Sequence, residues 1–521
     1  MSEILLCTLN STYQHSSFGL RYLFANLHEL QKHSKILEFT ITQKSRDIVE
    51  KILLQNPLIV GFGVYIWNTT ETQEVISILK RIKPELTIIV GGPEVSFESE
   101  TQKICEIADF VIKGESDFLF YELTKKIFYK QDNIPQEKFL SGPLPEVEKI
   151  LSPYQYYTND DIKNRVIYVE ASRGCPYKCE YCLSSLDKTV RNFPLESFLS
   201  ELHALIDRGA RQFKFVDRTF NLSPAFSTKI LQFFLDRINL GLFLHFELVP
   251  DRLPLELKNL IEQFPAGSLQ FEIGIQTWNP TVSALVSRRQ NYEKIKENFF
   301  YLKEKTKVHT HADLIVGLPG ESLDSFAKGF DALAELEPHE IQVGILKRLK
   351  GTPIIRHNNT WQMIYQEHPP FQVLSTKTMD YLTLQQMNRF AKFWDLIANS
   401  GNFPHTLKLF RKISLENKSA SLFWLFYQCS NFLAKRHEVS HGIALLRLTE
   451  SIWIYLIEEL KIEKNIAQEA LIQDYACGYK KRDLPNFLSS PNEKNFGKKN
   501  ATPSNSSPQR QSRHNAIHCY L

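Results

Sequence analysis

Through residues 4–129, short apolar runs alternate with segments whose apolar residues recur every three or four positions. The runs at 4–9, 36–40, 58–63, 87–90 and 110–112 read as strands, and the periodic segments at 18–30, 46–55, 70–82, 98–105 and 116–129 as helices. Five strands alternating with helices imply a doubly wound parallel sheet, which binds ligands at the carboxyl ends of its strands. Pro135, Gly142, Pro143, Pro145 and Pro153 then mark a stiff linker. From residue 166 the alternation resumes, with strand-like runs at 166–171, 212–216, 243–248, 269–275, 310–316 and 340–346 and room for a helix between each pair. Six such units predict a partial β/α barrel of TIM-like plan, again with its reactive groups at strand carboxyl ends. Beyond residue 376 the period is helical, at 382–399, 419–436 and 442–460. The aromatics there, Phe390, Phe393, Trp394, Phe423, Trp424 and Phe426, read as core. The expected organisation is an α/β fold with a doubly wound parallel sheet over 1–134, a linker over 135–165, a barrel over 166–360, an all-helical domain over 361–488 and a disordered tail over 489–521.

Composition adds little to this picture except at the tail. A hydrophobic content of 43% and a charged content of 23% in 521 residues are those of a soluble globular chain. Lys494, Lys498, Lys499, Arg510 and Arg513 against Glu493 account for the whole net charge of +4. The rest of the chain is formally neutral, so a nucleic-acid partner is not indicated. The same tail is rich in Ser, Asn, Pro and Gln and poor in apolar residues, which is why disorder is expected. No basic stretch followed by an apolar run marks a secretory signal. The longest uncharged apolar stretch, 419–434, falls short of the ~18 residues of a membrane span. The cytoplasm is the expected compartment, and eight cysteines, three of them clustered, fit a reducing one.

Those three cysteines carry the chemistry. Cys175, Cys179 and Cys182 stand in the stretch Ala-Ser-Arg-Gly-Cys-Pro-Tyr-Lys-Cys-Glu-Tyr-Cys. Spacings of four and three also fall on one face of a helix. Gly174 and Pro176 speak for a loop instead. Four thiolates usually hold a 4Fe-4S cluster, so three with no fourth nearby leave one iron open to a ligand. Cys429, Cys477 and Cys519 are too isolated to hold a second cluster.

Polar residues also stand at strand ends where a fold alone does not require them. His245 and Glu247 end the third barrel strand, Glu272 and Gln276 the fourth, Asp313 to Glu321 the fifth, and Asp217 the second. In the first domain, Tyr65 and Trp67 follow the third strand, Gly91, Gly92, Pro93 and Glu94 the fourth, and Gly114 and Glu115 the fifth. Glycines there let a ligand approach the backbone, and the two aromatics offer flat surface to a large planar molecule. No Gly-x-Gly-x-x-Gly opens the first helix, which weakens a dinucleotide reading.

The cysteine spacing, with Tyr181 just before the third cysteine, resembles the radical S-adenosylmethionine (SAM) superfamily. That resemblance implies a 4Fe-4S cluster on Cys175, Cys179 and Cys182 whose open iron binds SAM and reduces it to a 5′-deoxyadenosyl radical. The barrel segments resemble the subgroup that includes oxygen-independent coproporphyrinogen oxidases and many cobalamin-dependent members. The match implies that Glu247 and Gln276 meet the ribose and Arg288, rather than its neighbour Arg289, the SAM carboxylate. The backbone around Ile315 would meet the adenine, Asp313 would lie beside them, and Tyr181 and Asp217 would also touch SAM.

The first domain, through Ile59-Val-Gly-Phe-Gly-Val64, Val90-Gly-Gly-Pro-Glu94 and Lys113-Gly-Glu115, resembles the cobalamin-binding domains that precede many radical SAM cores. Cobalamin contacts are thereby implied for Tyr65, Trp67, Gly91, Gly92, Pro93, Gly114 and Glu115. The Asp-x-His-x-x-Gly motif that supplies a histidine to cobalt elsewhere is absent, so cobalamin would be held with its own base detached. The helical region resembles a domain of unknown function found after such cores. Together these resemblances imply three cofactors (the 4Fe-4S cluster, SAM and cobalamin), a small-molecule substrate, and an electron donor such as flavodoxin or ferredoxin. The favoured reaction is methylation of an unactivated carbon. Radical oxidation or ring closure without methyl transfer, and a non-catalytic cobalamin or SAM sensor, stay open. RNA methylthiolation is disfavoured, because its N-terminal domain requires three further cluster cysteines and this one has Cys7 and Cys105 alone.

Overall fold

Every residue of the first strand, β1 (Ile4–Asn10), is buried, and its alternate side chains face two different cores. Leu5, Cys7 and Leu9 join a cluster with Ile48, Ile52, Val75, Leu79 and Ile104, whereas Ile4 and Leu6 join one with Leu20, Leu27, Phe120 and Leu123. A strand covered on both sides reads as a continuous apolar run. The computed structural model describes residues 2–416, 421–437, 442–477, 485, 487 and 488. The tail expected to be disordered, with Cys519 in it, lies outside the described residues.

The described chain falls into two compact units, the first built from Met1–Arg218, Lys347–Ile355 and Gln366–Gln372. It opens with β1, β2 (Ser34–Thr40), β3 (Ile59–Gly63), β4 (Thr87–Gly91), β5 (Phe110–Lys113) and β6 (Phe139–Ser141), all parallel, in the order β2-β1-β3-β4-β5-β6. Helices α1 (Phe18–Ala25) and α5 (Leu119–Phe128) cover one face. The other is covered by α2 (Ser45–Leu53), α3 (Thr69–Ile82) and α4 (Lys103–Ile107). The doubly wound sheet is therefore present, with a sixth strand inside the stretch expected to be a linker. That stretch also forms α6 (Asn159–Asn164), fixed by a capping box between Thr158 and Asp161. Buried ion pairs from Arg21 and Arg165 to Asp161 and Glu38 tie it to the sheet. After it come β7 (Ile167–Val169), the short ribbon of β8 (Ser172–Arg173) and β9 (Arg191–Asn192), α7 (Leu195–Asp207) and β10 (Gln212–Phe215), which runs parallel to β7.

The second unit comprises Thr219–Leu346, Arg356–Tyr365 and the described residues from Val373 on. Its strands β11 (Phe243–Leu248), β12 (Leu269–Gln276), β13 (His309–Val316) and β14 (Glu340–Ile345) pair in parallel in that order. The helices between are α8 (Pro224–Leu235), α9 (Leu255–Ile261), α10 (Pro280–Leu285), α11 (Tyr292–Lys305) and α12 (Leu323–Ala334). The turn from β12 into α10 is set by Asn279, whose side chain accepts from the N–H groups of Thr281 and Val282, with Pro280 in the first turn. All six barrel-type strands expected across the two units form.

The C-terminal region is helical, with α13 (Tyr381–Trp394), α14 (Pro404–Glu416), α15 (Leu422–Arg436), α16 (Leu445–Ile454) and α17 (Lys464–Cys477). A small hairpin of β15 (Ile364–Tyr365) and β16 (Val373–Ser375) precedes it. Phe390, Phe393, Trp394, Phe423 and Phe426 are buried as core, and Trp424 is half-buried. Among the described residues no helix is long and apolar enough to cross a membrane.

Candidate functional site

The three cysteines sit on a loop clamped at its base by the two-residue ribbon of β8 and β9, in which Arg173 pairs with Arg191. Gly174 starts the loop at φ +92, and a Cβ built there would overlap the carbonyl oxygen of Thr189. Only glycine fits. The N–H of Cys175 donates to the carbonyl of Asp187 at 3.0 Å and that of Cys182 to Cys179 at 3.1 Å. Cys175 and Cys179 are buried and Cys182 is half-buried. No α-helix passes through the segment, so the loop reading of the spacing holds. Among the described residues no three His, Cys, Asp or Glu side chains converge as a single metal ion requires. A cubane takes each thiolate on a different iron, and three cysteines on one loop supply a donor set of that kind.

Asp217 follows β10 and is 2% exposed. Its carboxylate accepts from the Ala171 N–H at 3.0 Å and the Ser172 hydroxyl at 2.6 Å, immediately ahead of the ribbon. Burial pushes this carboxyl up to about 6, opposed by those hydrogen bonds. It holds the approach to the cluster loop. Tyr181 is half-buried within that loop.

At the carboxyl ends of β3, β4 and β5 lies a cavity of about 160 Å³. Tyr65, Gly91, Gly92, Gly114 and Glu115 line it, joined by Gly19, Tyr22, Gly61, Gly63, Phe120, Asp117 and Arg173. Trp67 and Pro93 are not in its lining; Trp67 stacks on Tyr65 with ring centroids 4.5 Å apart. The loop after β3 is held by Asn68, which accepts from the Tyr65 N–H at 2.8 Å and donates to the Leu9 carbonyl at 3.0 Å. Gly92 has φ +111, and a Cβ there would stand 2.5 Å from the Val64 carbonyl oxygen. Glycines and aromatic faces make a cradle suited to a large planar ligand. Among the described residues no histidine lines it. His15 turns its Nδ1 to the Tyr168 hydroxyl at 2.6 Å.

Arg173, two residues before Cys175, belongs to this cavity wall as well. Its guanidinium meets Glu115 and Asp117 at 2.8 Å and Glu170 at 3.1 Å, and lies over the Tyr22 ring at 4.6 Å. Burial pushes the Glu170 carboxyl up to about 7, with Arg173 pulling it back. Sequence reasoning named Glu115 and missed Arg173, Arg191 and Asp117. The available signal was an arginine on each side of the cysteine loop and a second acid two residues past Glu115.

In the second unit, one face of β11, β12 and β13 is apolar apart from Thr310, with Phe246, Phe271, Ile273, Ala312 and Leu314 buried. The opposite face carries His245 and Glu247, then Gln270 and Glu272, then His309, His311, Asp313 and Ile315. Interiors of packed barrels are filled by branched apolar side chains, so a row of ionisable residues marks a ligand-facing surface. His245 and Glu272 meet at 3.0 Å, and His311 and Asp313 at 3.4 Å. Gln276 ends β12 beyond a bulge, at φ +70. Arg288 reaches back to it: its guanidinium donates to the Gly274 carbonyl and, at 2.9 Å, to Gln290. Strained backbone of this kind collects at ligand sites. The structure thus brings Gln276 and Arg288 together at Gly274, with Asp313 in register with Gly274 and Glu247 with Glu272. Arg289 is exposed and Arg288 half-buried.

A parallel sheet with a ligand cradle, a three-cysteine loop and a polar-faced set of barrel-type strands are the parts expected of a radical SAM core with a cofactor-binding domain ahead of it. Models of known families agree: a B12 binding domain matches residues 4–123, the radical SAM superfamily residues 169–333, and a protein family of unknown function, DUF4080, residues 359–517. An uncharacterized methyltransferase of Pyrococcus horikoshii is 28% identical over 39% of this chain and 49% of its own length. A tRNA-2-methylthio-N(6)-dimethylallyladenosine synthase of Francisella philomiragia is 25% identical over 53% of this chain and 63% of its own. The chain thus covers less than two thirds of either relative. Among solved structures, the radical S-adenosylmethionine methyltransferase TsrM of Kitasatospora setae, with cobalamin and a [4Fe-4S] cluster bound, aligns at a TM-score of 0.55 and 17% identity, over 68% of this chain and 74% of that one. That likeness is one of fold. The chain thus carries a radical SAM domain between a B12-binding domain and a DUF4080 domain, and the cofactors that go with those domains are a 4Fe-4S cluster, SAM and cobalamin.

Proposed function

We propose that this enzyme methylates an unactivated carbon of a small molecule, drawing its electrons from a flavodoxin- or ferredoxin-like donor. One observation carries the reading: within a single compact unit, the three-cysteine loop is bonded through Arg173 to the wall of the glycine-lined cavity. When bound, the cluster and SAM supply a 5′-deoxyadenosyl radical and cobalamin supplies the methyl group. The chain's own task is then to hold and orient. Cys175, Cys179 and Cys182 would each take one iron. The cradle of Gly91, Gly92, Gly114 and Tyr65 would seat the corrin. Glu247, Gln276, Arg288 and Asp313 would hold SAM, with Arg288 on its carboxylate. His245 and Glu272 remain on the same polar face to meet a substrate. Support for a small-molecule substrate comes from TsrM, which has been solved with a tryptophan substrate and a SAM analogue.

Methylthiolation of tRNA, the activity named for the Francisella relative, is not favoured. Cys7 lies in the core of β1 and Cys105 in α4, both buried. Burial drives the Cys7 thiol far up and the Cys105 thiol up to about 11, so neither is poised to bind metal.

Two measurements test the reading. The full chain, loaded anaerobically with hydroxocobalamin and desalted, is expected to retain it with a base-off spectrum. Loss of all cobalamin on desalting would contradict the methylation reading and favour oxidation or ring closure. Arg288→Ala is expected to weaken SAM binding roughly ten- to a hundredfold, the worth of one charge-assisted pair of ~1.5–3 kcal/mol. Iron content should not change, and exposed Arg289→Ala should bind SAM like the parent. The reverse pattern would assign the carboxylate to Arg289.

A further inference from the structure

Two chains of contact run from one cavity residue, Glu115, to one iron ligand, Cys175. The first passes through Arg173, which Glu115 and Asp117 both hold at 2.8 Å and which stands two residues ahead of Cys175 on the ribbon. The second passes through Arg191, which pairs with Glu115 and, at 2.8 Å, with Asp187. The carbonyl of that same Asp187 accepts the N–H of Cys175. Both routes use partly buried charges: side-chain exposure is 12% for Arg173, 18% for Arg191, 24% for Glu115 and 6% for Asp117. In such surroundings ion pairs are sensitive to small changes of geometry. The acids sit on the loop after β5, and that loop is bare on one side. A Cβ built on Gly114, at φ +75, would meet no atom within 4 Å. Whatever fills the cavity therefore presses on the loop that carries Glu115.

We propose that Arg191, together with Arg173, is a positioning residue that makes the order of the cluster loop depend on the filling of the glycine-lined cavity. The inference rests on the reading of that cavity as the seat of cobalamin. By linkage, a corrin that fixes Glu115 tightens the grip on Cys175, and an assembled cluster in turn favours the corrin. Arg191 is outside the cavity lining and carries no iron, so its removal leaves both cofactor sites chemically intact.

The test uses the full chain, reconstituted anaerobically with iron and sulfide, and follows the release of iron to a ferrous chelator with and without hydroxocobalamin. In the parent, bound hydroxocobalamin is expected to slow iron release about fivefold or more, the lower end of typical coupling between sites. Arg191→Gln is expected to hold cobalamin with the parent's spectrum and to lose most of the protection that cobalamin gives against iron release, keeping only what the route through Arg173 transmits. Arg191→Lys should recover part of the protection. If Arg191→Gln takes up no iron, Asp187→Asn, which loosens the grip of Arg191 on the loop, is read in the same way. Faster release that keeps the parent's cobalamin dependence would mean a merely structural role and overturn the proposal. So would parent iron release that ignores bound cobalamin. If the parent retains no cobalamin after desalting, the reading of the cavity falls first and the proposal with it.

Discussion

Alanine at any one of Cys175, Cys179 or Cys182 is expected to abolish the 4Fe-4S absorbance of the reconstituted protein and all reductive cleavage of SAM. In the proposed site each thiolate would hold a different iron, and with no fourth cysteine on the loop nothing would substitute for a lost one. Iron and sulfide content after anaerobic reconstitution measures the effect. Cys105→Ala and Cys429→Ala serve as controls. Both side chains are buried thiols that do not belong to the loop. Their loss should lower stability modestly through a small cavity and leave iron content at the parent's level. Full iron in all three loop variants would mean that the cluster is held elsewhere.

Gly174→Ala is expected to empty the cluster site almost as completely, although it removes no ligand. An alanine at φ +92 costs roughly 1–2 kcal/mol in backbone strain alone, about a tenfold loss in the population of the closed loop. Its Cβ would also overlap the Thr189 carbonyl, and that collision is with main chain, which no rotamer relieves. Gly209→Ala separates the two effects. Gly209 has φ +101, but a Cβ there meets nothing within 4 Å. It incurs the dihedral strain without the collision, and its iron content should stay near the parent's. Equal iron loss in both variants would point to general destabilisation instead of a broken loop.

What the chain announces in advance and what it conceals follow from how far each signal reaches. The three cysteines, with a glycine before and a proline between them, are local, and so is the alternation that places β11, β12 and β13. Their polar face was legible because His245, Glu247, Glu272 and Asp313 occupy alternate positions where a filled barrel takes apolar residues. By contrast β6 is three residues long, too short for any periodicity, and α6 is fixed by a capping box inside a proline-rich stretch. Asp217 was readable as a polar strand end, but its hold on Ala171 and Ser172 depends on the pairing of β10 with β7, which no local pattern encodes. Tyr65 and Trp67 looked alike in sequence. In the fold Tyr65 lines the cavity, and Trp67 stacks on the Tyr65 ring without joining the lining. The bridge from Glu115 and Asp117 to Arg173 and Arg191 joins residues 56 or more positions apart. Only the folded chain brings them together.

The account stands most directly on the products made from SAM. Full-length protein holding a complete cluster and hydroxocobalamin, given SAM and a low-potential reductant under anaerobic conditions, is expected to release both 5′-deoxyadenosine and S-adenosylhomocysteine, the first from radical formation and the second from methyl transfer. The Cys179→Ala protein should release no 5′-deoxyadenosine. 5′-Deoxyadenosine alone would keep the radical enzyme and remove the methylation. If protein with full iron and bound cobalamin releases neither compound, the chain is a sensor of these cofactors and the proposed reaction is wrong.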